Sequence, residues 1–171
     1  MLLKAFITPG GAVILAVFIA AVIFCGIVSR KARNKLLDEG KIIIRENNFW
    51  DKSESFTIND VTLDTVFGEL PATEMKSHVG KYEIQPENNR IVFVHNGYNE
   101  SYTATLRLAS VENNSYTYKF MINQYRYKGS RPNELSLNVL YTAVEKIFLK
   151  HDSDVKVTSE YVDRKTKKSF F

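Results

Sequence analysis

A chain of 171 residues has room for one ordinary domain, and its composition, 44% hydrophobic and 25% charged, is that of a folded protein. Its formal net charge of +4 is concentrated at the two ends, because residues 41–163 hold 14 Lys and Arg against 17 Asp and Glu. This distribution argues against a nucleic-acid-binding domain, in which the positive charge clusters on the folded part. The single cysteine, Cys25, excludes a disulfide within the chain and a zinc site built from several thiolates.

An uninterrupted apolar run, residues 12–28, lies near the N-terminus and is followed directly by basic residues. With its uncharged flanks it is about 20 residues long, enough to cross a hydrocarbon core of ~30 Å as a helix. We interpret the run as a transmembrane anchor, and a buried core helix and a cleaved signal sequence are the alternatives. The residues assigned to the anchor are Ala12, Val13, Leu15, Phe18, Val22, Phe24 and Val28.

The basic residues on the two sides of this run set the expected orientation. Only Lys4 precedes the run, whereas four basic residues follow it closely, which favours a cytoplasmic C-terminal side. An extracytoplasmic domain is the alternative. We predict that basic residues next to the anchor and in the C-terminal tail contact anionic headgroups, although a stop-transfer signal and a solvated tail explain the same charges. These residues are Arg30, Lys31, Arg33, Lys35, Lys165, Lys167 and Lys168.

The charge pattern divides the chain into three parts. Residues 1–40 comprise a leader, the anchor and a basic juxtamembrane helix, which we expect to end near Gly40. Residues 41–163 form one soluble domain, and residues 164–171 form a basic tail that ends in two phenylalanines. We expect the bilayer to be one binding partner of the chain, and no nucleic acid to be another.

The first third of the domain predicts strands joined by short turns. A β-branched run predicts a strand over residues 41–46. Two further β-rich runs, residues 55–58 and 61–67, are separated by a polar pair and predict a hairpin. A short helix is expected over residues 73–78.

The middle of the domain has the strongest alternation of apolar and polar residues, which predicts an antiparallel meander with one buried face. Asn96-Gly97 is a strong hairpin signal, and a turn is expected over residues 86–89. The predicted strands cover residues 81–84, 90–95, 101–111 and 116–128.

The period changes to 3.6 between residues 133 and 150, which predicts an amphipathic helix that covers the buried face of the meander. Its apolar stripe consists of Leu135, Val139, Leu140, Ala143, Val144, Ile147 and Phe148. A final strand is expected over residues 155–158 and 161–162. The sequence therefore predicts an α+β fold: an N-terminal transmembrane helix, then one domain with an antiparallel β-meander packed against a C-terminal amphipathic helix and a final strand.

Sequence signatures of catalysis and cofactor binding are absent from the chain. It contains no Gly-x-Ser-x-Gly elbow, no phosphate-binding loop and no dinucleotide-binding glycine motif. The histidines at positions 78, 95 and 151 are too far apart for a zinc-ligand spacing and are interpreted as loop or strand-end residues. We predict no cofactor and no metal. A carboxylate-dependent hydrolase or transferase is the alternative, with Asp60, Asp64, Asp152 and Asp154 as its acidic residues.

Tyrosine and arginine residues near the end of the meander are of the types that dominate protein interfaces. We predict that this sheet face or edge, or the Phe-ended tail, contacts a protein partner, and ordinary packing of the tyrosines is the alternative. The candidate residues are Tyr116, Tyr118, Tyr125, Arg126, Tyr127, Phe170 and Phe171. The sequence thus predicts a single-pass, membrane-anchored, non-enzymatic domain that binds a protein partner or scaffolds a membrane-associated assembly. A lipid-surface sensor is a further alternative.

Overall fold

Two compact units make up the chain, residues 1–41 and residues 42–171. The first contains one long helix, and the second contains a six-stranded antiparallel sheet with a long helix on one face. The α+β class predicted from the sequence is confirmed. The structure is a computed structural model, and it describes residues 8–70, 82–128 and 133–162.

Helix α1 (Pro9–Asp38) begins at a capping threonine and ends near a glycine. The Thr8 hydroxyl accepts a hydrogen bond from the amide three residues on, and Pro9 occupies the first helical position, where its missing N–H costs nothing. Gly40, with a φ of 63°, closes the chain behind the last turn, as predicted. The 30 residues extend over about 45 Å.

Helix α1 is long and apolar enough to cross a membrane. None of its described residues is buried. A helix in the core of the domain would have at least one buried face, so this helix does not match the core-helix alternative. An N-terminal signal sequence meets the same criteria of length and composition. The predicted anchor residues all lie in this helix with exposed side chains.

The second unit starts with a one-turn 3-10 helix (Phe49–Asp51) and continues through six strands and two α-helices. The strand order across the sheet is β2-β3-β4-β5-β1-β6, and all neighbours are antiparallel. The predicted meander, C-terminal helix and final strand are therefore confirmed. The elements are β1 (Lys52–Asn59), α2 (Leu63–Glu69), β2 (Glu83–Glu87), β3 (Arg90–Asn96), β4 (Glu100–Glu112), β5 (Ser115–Tyr127), α3 (Glu134–His151) and β6 (Lys156–Tyr161).

Tight turns join the strands of the meander. Asn113 and Asn114, both with positive φ, form the two-residue turn between β4 and β5, a conformation that asparagine tolerates well. The β2–β3 turn is also two residues long, so β2 continues through Pro86, where the sequence predicted the start of the turn. Proline fits there because β2 lies at the edge of the sheet.

The prediction of a hairpin over residues 55–67 is wrong in its second strand. Residues 63–69 form helix α2, which begins at Thr62, whose hydroxyl accepts a hydrogen bond from the Thr65 amide at 3.4 Å. The preceding Asp60 has a φ of 58° and ends β1. The capping threonine outweighs the β-branched composition of this segment. The helix predicted over residues 73–78 lies outside the described residues.

Helix α3 packs on one face of the sheet through aromatic side chains. The Phe148 ring stacks on Phe56 of β1 with 4.5 Å between centroids, and Tyr141 meets Phe120 of β5 edge-on at 4.8 Å. The stripe predicted for this helix is buried except for Leu135, which is half-buried. Burial of each such side chain stabilises the fold by about 1.5–3 kcal/mol relative to exposure.

The strand predicted over residues 41–46 is wrong, because side chains rather than a neighbouring strand bind this main chain. The Asn138 amide of α3 donates to the Ile43 carbonyl at 2.8 Å and accepts from the Ile43 amide at 3.3 Å. In this way one side chain replaces a pair of ladder hydrogen bonds. Ile42 is buried at 2% exposure, whereas Ile44 stays 82% exposed, so burial within the β-branched run falls along the chain.

Arg45 occupies a nearly buried site between two carboxylates. Its guanidinium donates hydrogen bonds to Glu54 of β1 and, at 2.7 Å, to Glu145 of α3. The guanidinium also lies 5.3 Å from the centroid of the Tyr141 ring. Burial raises the pKa of Glu54 to about 7; Arg45 opposes this and Glu145 adds to it. The cluster therefore joins residue 45, strand β1 and helix α3 through charges largely withdrawn from water.

We expect the Glu54→Gln variant to change how stability depends on pH. Because the folded pKa of about 7 exceeds the usual 4.5, protonation of Glu54 stabilises the fold fully below pH 4.5, and this contribution is lost as the pH rises through 7. Over that window the free energy of unfolding of the wild type, relative to the variant, should fall by up to ~3 kcal/mol. Urea unfolding of the full chain in detergent micelles, followed by the fluorescence of its single tryptophan, Trp50, gives this difference.

The Glu145→Gln variant is the companion measurement. Removal of the neighbouring negative charge lowers the pKa of Glu54, so the window over which stability is lost should become narrower. Parallel pH profiles of the wild type and Glu54→Gln between pH 4.5 and 7 would contradict the assignment.

Candidate functional site

A row of polar and aromatic side chains crosses the helix-covered face of the sheet at the end near the β3–β4 loop. His95 of β3 lies opposite Tyr102 of β4, and Tyr102 lies opposite Tyr125 of β5. Tyr82, just before β2, continues the row beside His95. Neighbouring ring centroids are 4.9–5.6 Å apart, close enough for direct ring contact.

Tyr125 reaches this face because β5 contains a β-bulge. The register of β5 against β4 shifts by one residue at Asn123. Strict alternation from Tyr118 would put Tyr125 and Tyr127 on the opposite face, but the extra residue brings both into the core, where they are 9% and 7% exposed. The sequence carries no local sign of this bulge.

The hydroxyl groups of the row bond to the first turn of helix α3. Tyr125 donates to Glu100 Oε2 at 2.6 Å and accepts from the Asn133 amide at 3.2 Å. The Tyr102 and Ser136 hydroxyls are 3.2 Å apart. Burial raises the pKa of both tyrosines, so their hydroxyls stay protonated and available as donors. These bonds fix the start of the helix over this end of the sheet.

His95 and Glu100 are buried without complete hydrogen bonding. Within the described part of the chain, three of their atoms lack a hydrogen-bond partner: Nδ1 and Nε2 of His95 and Oε1 of Glu100. The His95 Nε2 and Glu100 Oε1 atoms are 3.9 Å apart. Burial lowers the pKa of His95 below 6.5, against the smaller influence of Glu100, so the ring is neutral at pH 7. An unsatisfied buried polar group costs about 1–3 kcal/mol, and such a cost is typical of positions kept for a function.

The opposite, open face of the sheet carries a cavity of about 420 Å³ at the same end. Its lining includes Tyr102 and Tyr125, whose hydroxyls form hydrogen bonds on the helix-covered face. The other lining side chains are polar and have no hydrogen-bond or ion-pair partner within the described ranges. A second cavity of about 250 Å³ shares Ser101 and Arg126 with the first and adds Tyr98 and Lys128. We call the two together the Arg126 groove. The side chains of its larger part are Asn96, Ser101, Thr103, Gln124 and Arg126.

The residues proposed for partner binding from the sequence lie in different environments. Tyr118 is fully buried and donates its hydroxyl to the Val61 carbonyl, and Tyr125 and Tyr127 are buried as described above. These three rings belong to the core and offer no surface that a partner can reach. Tyr116 is half-buried and Arg126 is exposed. Phe170 and Phe171 lie outside the described residues.

The four basic residues predicted next to the anchor occupy the C-terminal part of helix α1 with exposed side chains. Lys35 forms an exposed ion pair with Glu39 at 3.8 Å, a contact of little energetic weight. The tail lysines at positions 165, 167 and 168 lie outside the described residues. Contact of either cluster with headgroups stays a prediction.

Of the acidic residues of the hydrolase alternative, Asp152 and Asp154 share one turn, and Asp60 and Asp64 lie elsewhere in the domain. Asp64 lines a cavity of about 220 Å³ whose lining includes none of the other three. Asp152 accepts a hydrogen bond from the Asp154 amide at 2.9 Å and so closes the turn before β6. Asp60 is exposed at the end of β1. Among the described residues, no group of three or more His, Cys, Asp or Glu is placed to hold a metal ion.

Sequence reasoning missed the pairing of His95 with Glu100. A usable signal exists for His95, which has the same parity as Ile91 and Phe93 in β3 and therefore belongs to the buried face. Glu100 has no such signal, because it begins its strand. Comparison with known proteins adds nothing to this: no protein-family model and no curated protein matches the chain.

Replacement of the buried imidazole by an apolar ring should stabilise the protein. The His95→Phe variant removes two unpartnered nitrogens and keeps a ring between Tyr82 and Tyr102, so the free energy of unfolding at pH 7 should rise by ~1–2 kcal/mol. Because the folded pKa of His95 is lowered from 6.5, the wild type loses stability as the pH falls below that value, whereas the variant does not. The difference should therefore widen towards pH 5 in Trp50-monitored urea titrations.

His151→Phe serves as the control for this measurement. His151 is partly exposed and its Nε2 lies 2.8 Å from a Glu69 carboxylate oxygen, so its replacement removes a satisfied group and should give no gain in stability. A His95→Phe protein no more stable than the wild type at either pH would show that the imidazole carries no uncompensated cost.

Proposed function

We propose that this chain is a single-pass membrane protein whose domain binds an extended segment of a protein partner along strand β6. In this proposal the domain performs no covalent chemistry of its own. The observation that carries it is the outer edge of β6, which has no strand partner among the described residues and carries exposed apolar side chains.

Strand β6 forms one edge of the sheet. It pairs with β1 on its inner side, and no strand among the described residues pairs with its outer side. All six of its residues are exposed, including the large side chains of Val157 and Tyr161 at 38% and 75%. An edge of this kind binds an incoming strand through main-chain hydrogen bonds, and the side chains beside it add specificity.

The inner ladder shows which amides of β6 point outward. The Val162 amide donates to the Asp51 carbonyl at 2.9 Å, and antiparallel pairing alternates between bonded and non-bonded residues. Residues 156, 158 and 160 therefore bond β1, whereas Val157, Ser159 and Tyr161 direct their amides away from the sheet. These outward groups are the ones a seventh strand would use.

The opposite edge of the sheet is less suited to this mode of binding. Strand β2 is five residues long and contains Pro86, whose missing N–H interrupts any further ladder. Strand β6 contains no proline. The proline in β2 hinders the addition of a further strand at that edge, whereas β6 has no such obstacle.

The membrane anchor supports this mode of binding. We propose that helix α1 spans the bilayer with its basic C-terminal end in the cytoplasm, because four basic residues follow the apolar run and one precedes it. Confinement to a membrane raises the local concentration of a partner that lies at the same surface. A contact as small as one added strand then suffices for association.

Single-cysteine labelling tests the anchor and its orientation. In a Cys25→Ser background, Ser153→Cys places a thiol in the exposed turn before β6, and Thr8→Cys places one just before helix α1. In intact cells a membrane-impermeant maleimide should label the cysteine at position 8, and label the one at position 153 only after permeabilisation. Labelling of position 153 in intact cells would show the opposite orientation. A mature protein that lacks residues 1–28 would show that the apolar helix is a cleaved signal and not an anchor.

Photo-crosslinking tests the binding edge. With benzoylphenylalanine in place of Tyr161, the chain should form one discrete protein adduct in the cells that produce it. Ser159→Pro removes an outward amide and leaves the inner ladder intact, so it should reduce this adduct at least tenfold, whereas Ser159→Ala should not. Trp50 fluorescence checks that both variants are folded. An adduct unaffected by Ser159→Pro, or no stronger than one formed from position 98, would contradict the proposal.

A further inference from the structure

The Arg126 guanidinium lies on the open face of the sheet with no acidic partner among the described residues. Arg90 pairs with Glu87 and Arg45 with two glutamates, whereas Arg107, like Arg126, is exposed and has no ion-pair partner among the described residues. Glu100 is among the residues that line the smaller cavity, but its carboxylate is buried on the opposite face, where it accepts a hydrogen bond from Tyr125. A guanidinium left free in a cavity presents a fork of donors that matches the two oxygens of a carboxylate.

The other side chains of the larger cavity are neutral hydrogen-bonding groups. Asn96 and Gln124 carry amides, and Ser101 and Thr103 carry hydroxyls. Each of these groups can both donate and accept, which is what a ligand hydroxyl requires of its surroundings. The volume of about 420 Å³ falls in the range of small-molecule sites, roughly 300–1,000 Å³.

A β-bulge at Asn123 precedes Gln124, one of the residues that line the larger cavity. Bulges are frequent beside binding sites, where they redirect side chains. The Asn123 amide donates to the Thr105 hydroxyl, which leaves Thr105 only 5% exposed on an otherwise open face. Neither residue lines the groove, so this bond leaves the groove side chains free of it.

The smaller cavity of the groove adds an aromatic surface and a second cation. Tyr98 is 84% exposed, and the Lys128 ammonium lies 4.3 Å from the centroid of its ring. An exposed ring offers an apolar face to the C–H groups of a ligand, and the ammonium adds positive charge next to Arg126. The groove therefore combines a cationic centre, neutral polar groups and one aromatic platform.

We infer that the Arg126 groove binds a small, hydroxyl-rich ligand that carries a carboxylate, of the sugar-acid class. Arg126 binds the carboxylate, and the neutral groups bind the hydroxyls. A peptide fits less well, because the groove lies on a sheet face where no strand can be added, and its side chains form no apolar pocket. This site is separate from the β6 edge and does not depend on the proposed partner binding.

Saturation-transfer NMR on the full chain in detergent micelles tests the inference with D-glucuronate as the probe. We expect saturation transfer to D-glucuronate and none to D-glucose at the same concentration. Arg126→Gln should weaken binding at least tenfold, and Arg126→Lys should weaken it less, because a lysine keeps the charge and loses the fork. Arg107→Gln is the matched control, since Arg107 is an exposed arginine of the same face that lines neither cavity of the groove, and it should leave binding unchanged.

Each other outcome overturns the inference. Equal binding of D-glucose and D-glucuronate, or binding unaffected by Arg126→Gln, would show that the guanidinium does not recognise a carboxylate. Displacement of D-glucuronate by inorganic phosphate but not by acetate would assign the site to a different anion. Absence of saturation transfer to D-glucuronate, with native Trp50 fluorescence and an intact Tyr161 crosslink, would remove the ligand site and leave the β6 proposal untouched.

Discussion

The fit of helix α3 against one face of the sheet is the constraint on which the rest of the domain depends. Nine consecutive residues of this helix, Ser136–Val144, are buried, so it needs partners on more than its sheet side. Aromatic rings of β1 and β5 cover the sheet side, and the segment around Ile43 binds Asn138 from elsewhere. Because α3 covers one face only, the other face is free to remain polar and to hold the Arg126 groove.

Local sequence pattern was sufficient where each strand has one apolar face. Alternation predicts β3, β4 and most of β5, and the 3.6-residue period predicts α3. In each strand every second residue on the buried face is apolar, and in the helix an apolar residue recurs at every turn. It was insufficient where the deciding contact is distant in sequence or involves a single cap. No strand forms over residues 41–46, and Asn138, 95 positions from Ile43, binds the Ile43 main chain instead. One hydroxyl, that of Thr62, turns a β-branched segment into helix α2.

The candidate sites were less predictable than the fold, and for a related reason. A single inserted residue, Asn123, brings Tyr125 and Tyr127 to the helix-covered face, so two tyrosines proposed for partner binding from their residue type become part of the core. The neutral side chains of the groove have no motif, since Ser, Thr, Asn and Gln are ordinary on any solvated strand. Of the groove residues, the sequence indicates Arg126 alone, because arginine is the type that interfaces favour.

The attachment of residues 43–45 to α3 has a mechanical consequence. A chain tethered at its N-terminal end receives any tension through residue 42, and the bonds made by Asn138 and Arg45 lie ahead of β1 along that path. These side-chain contacts are therefore loaded before β1, an inner strand that lies between β5 and β6.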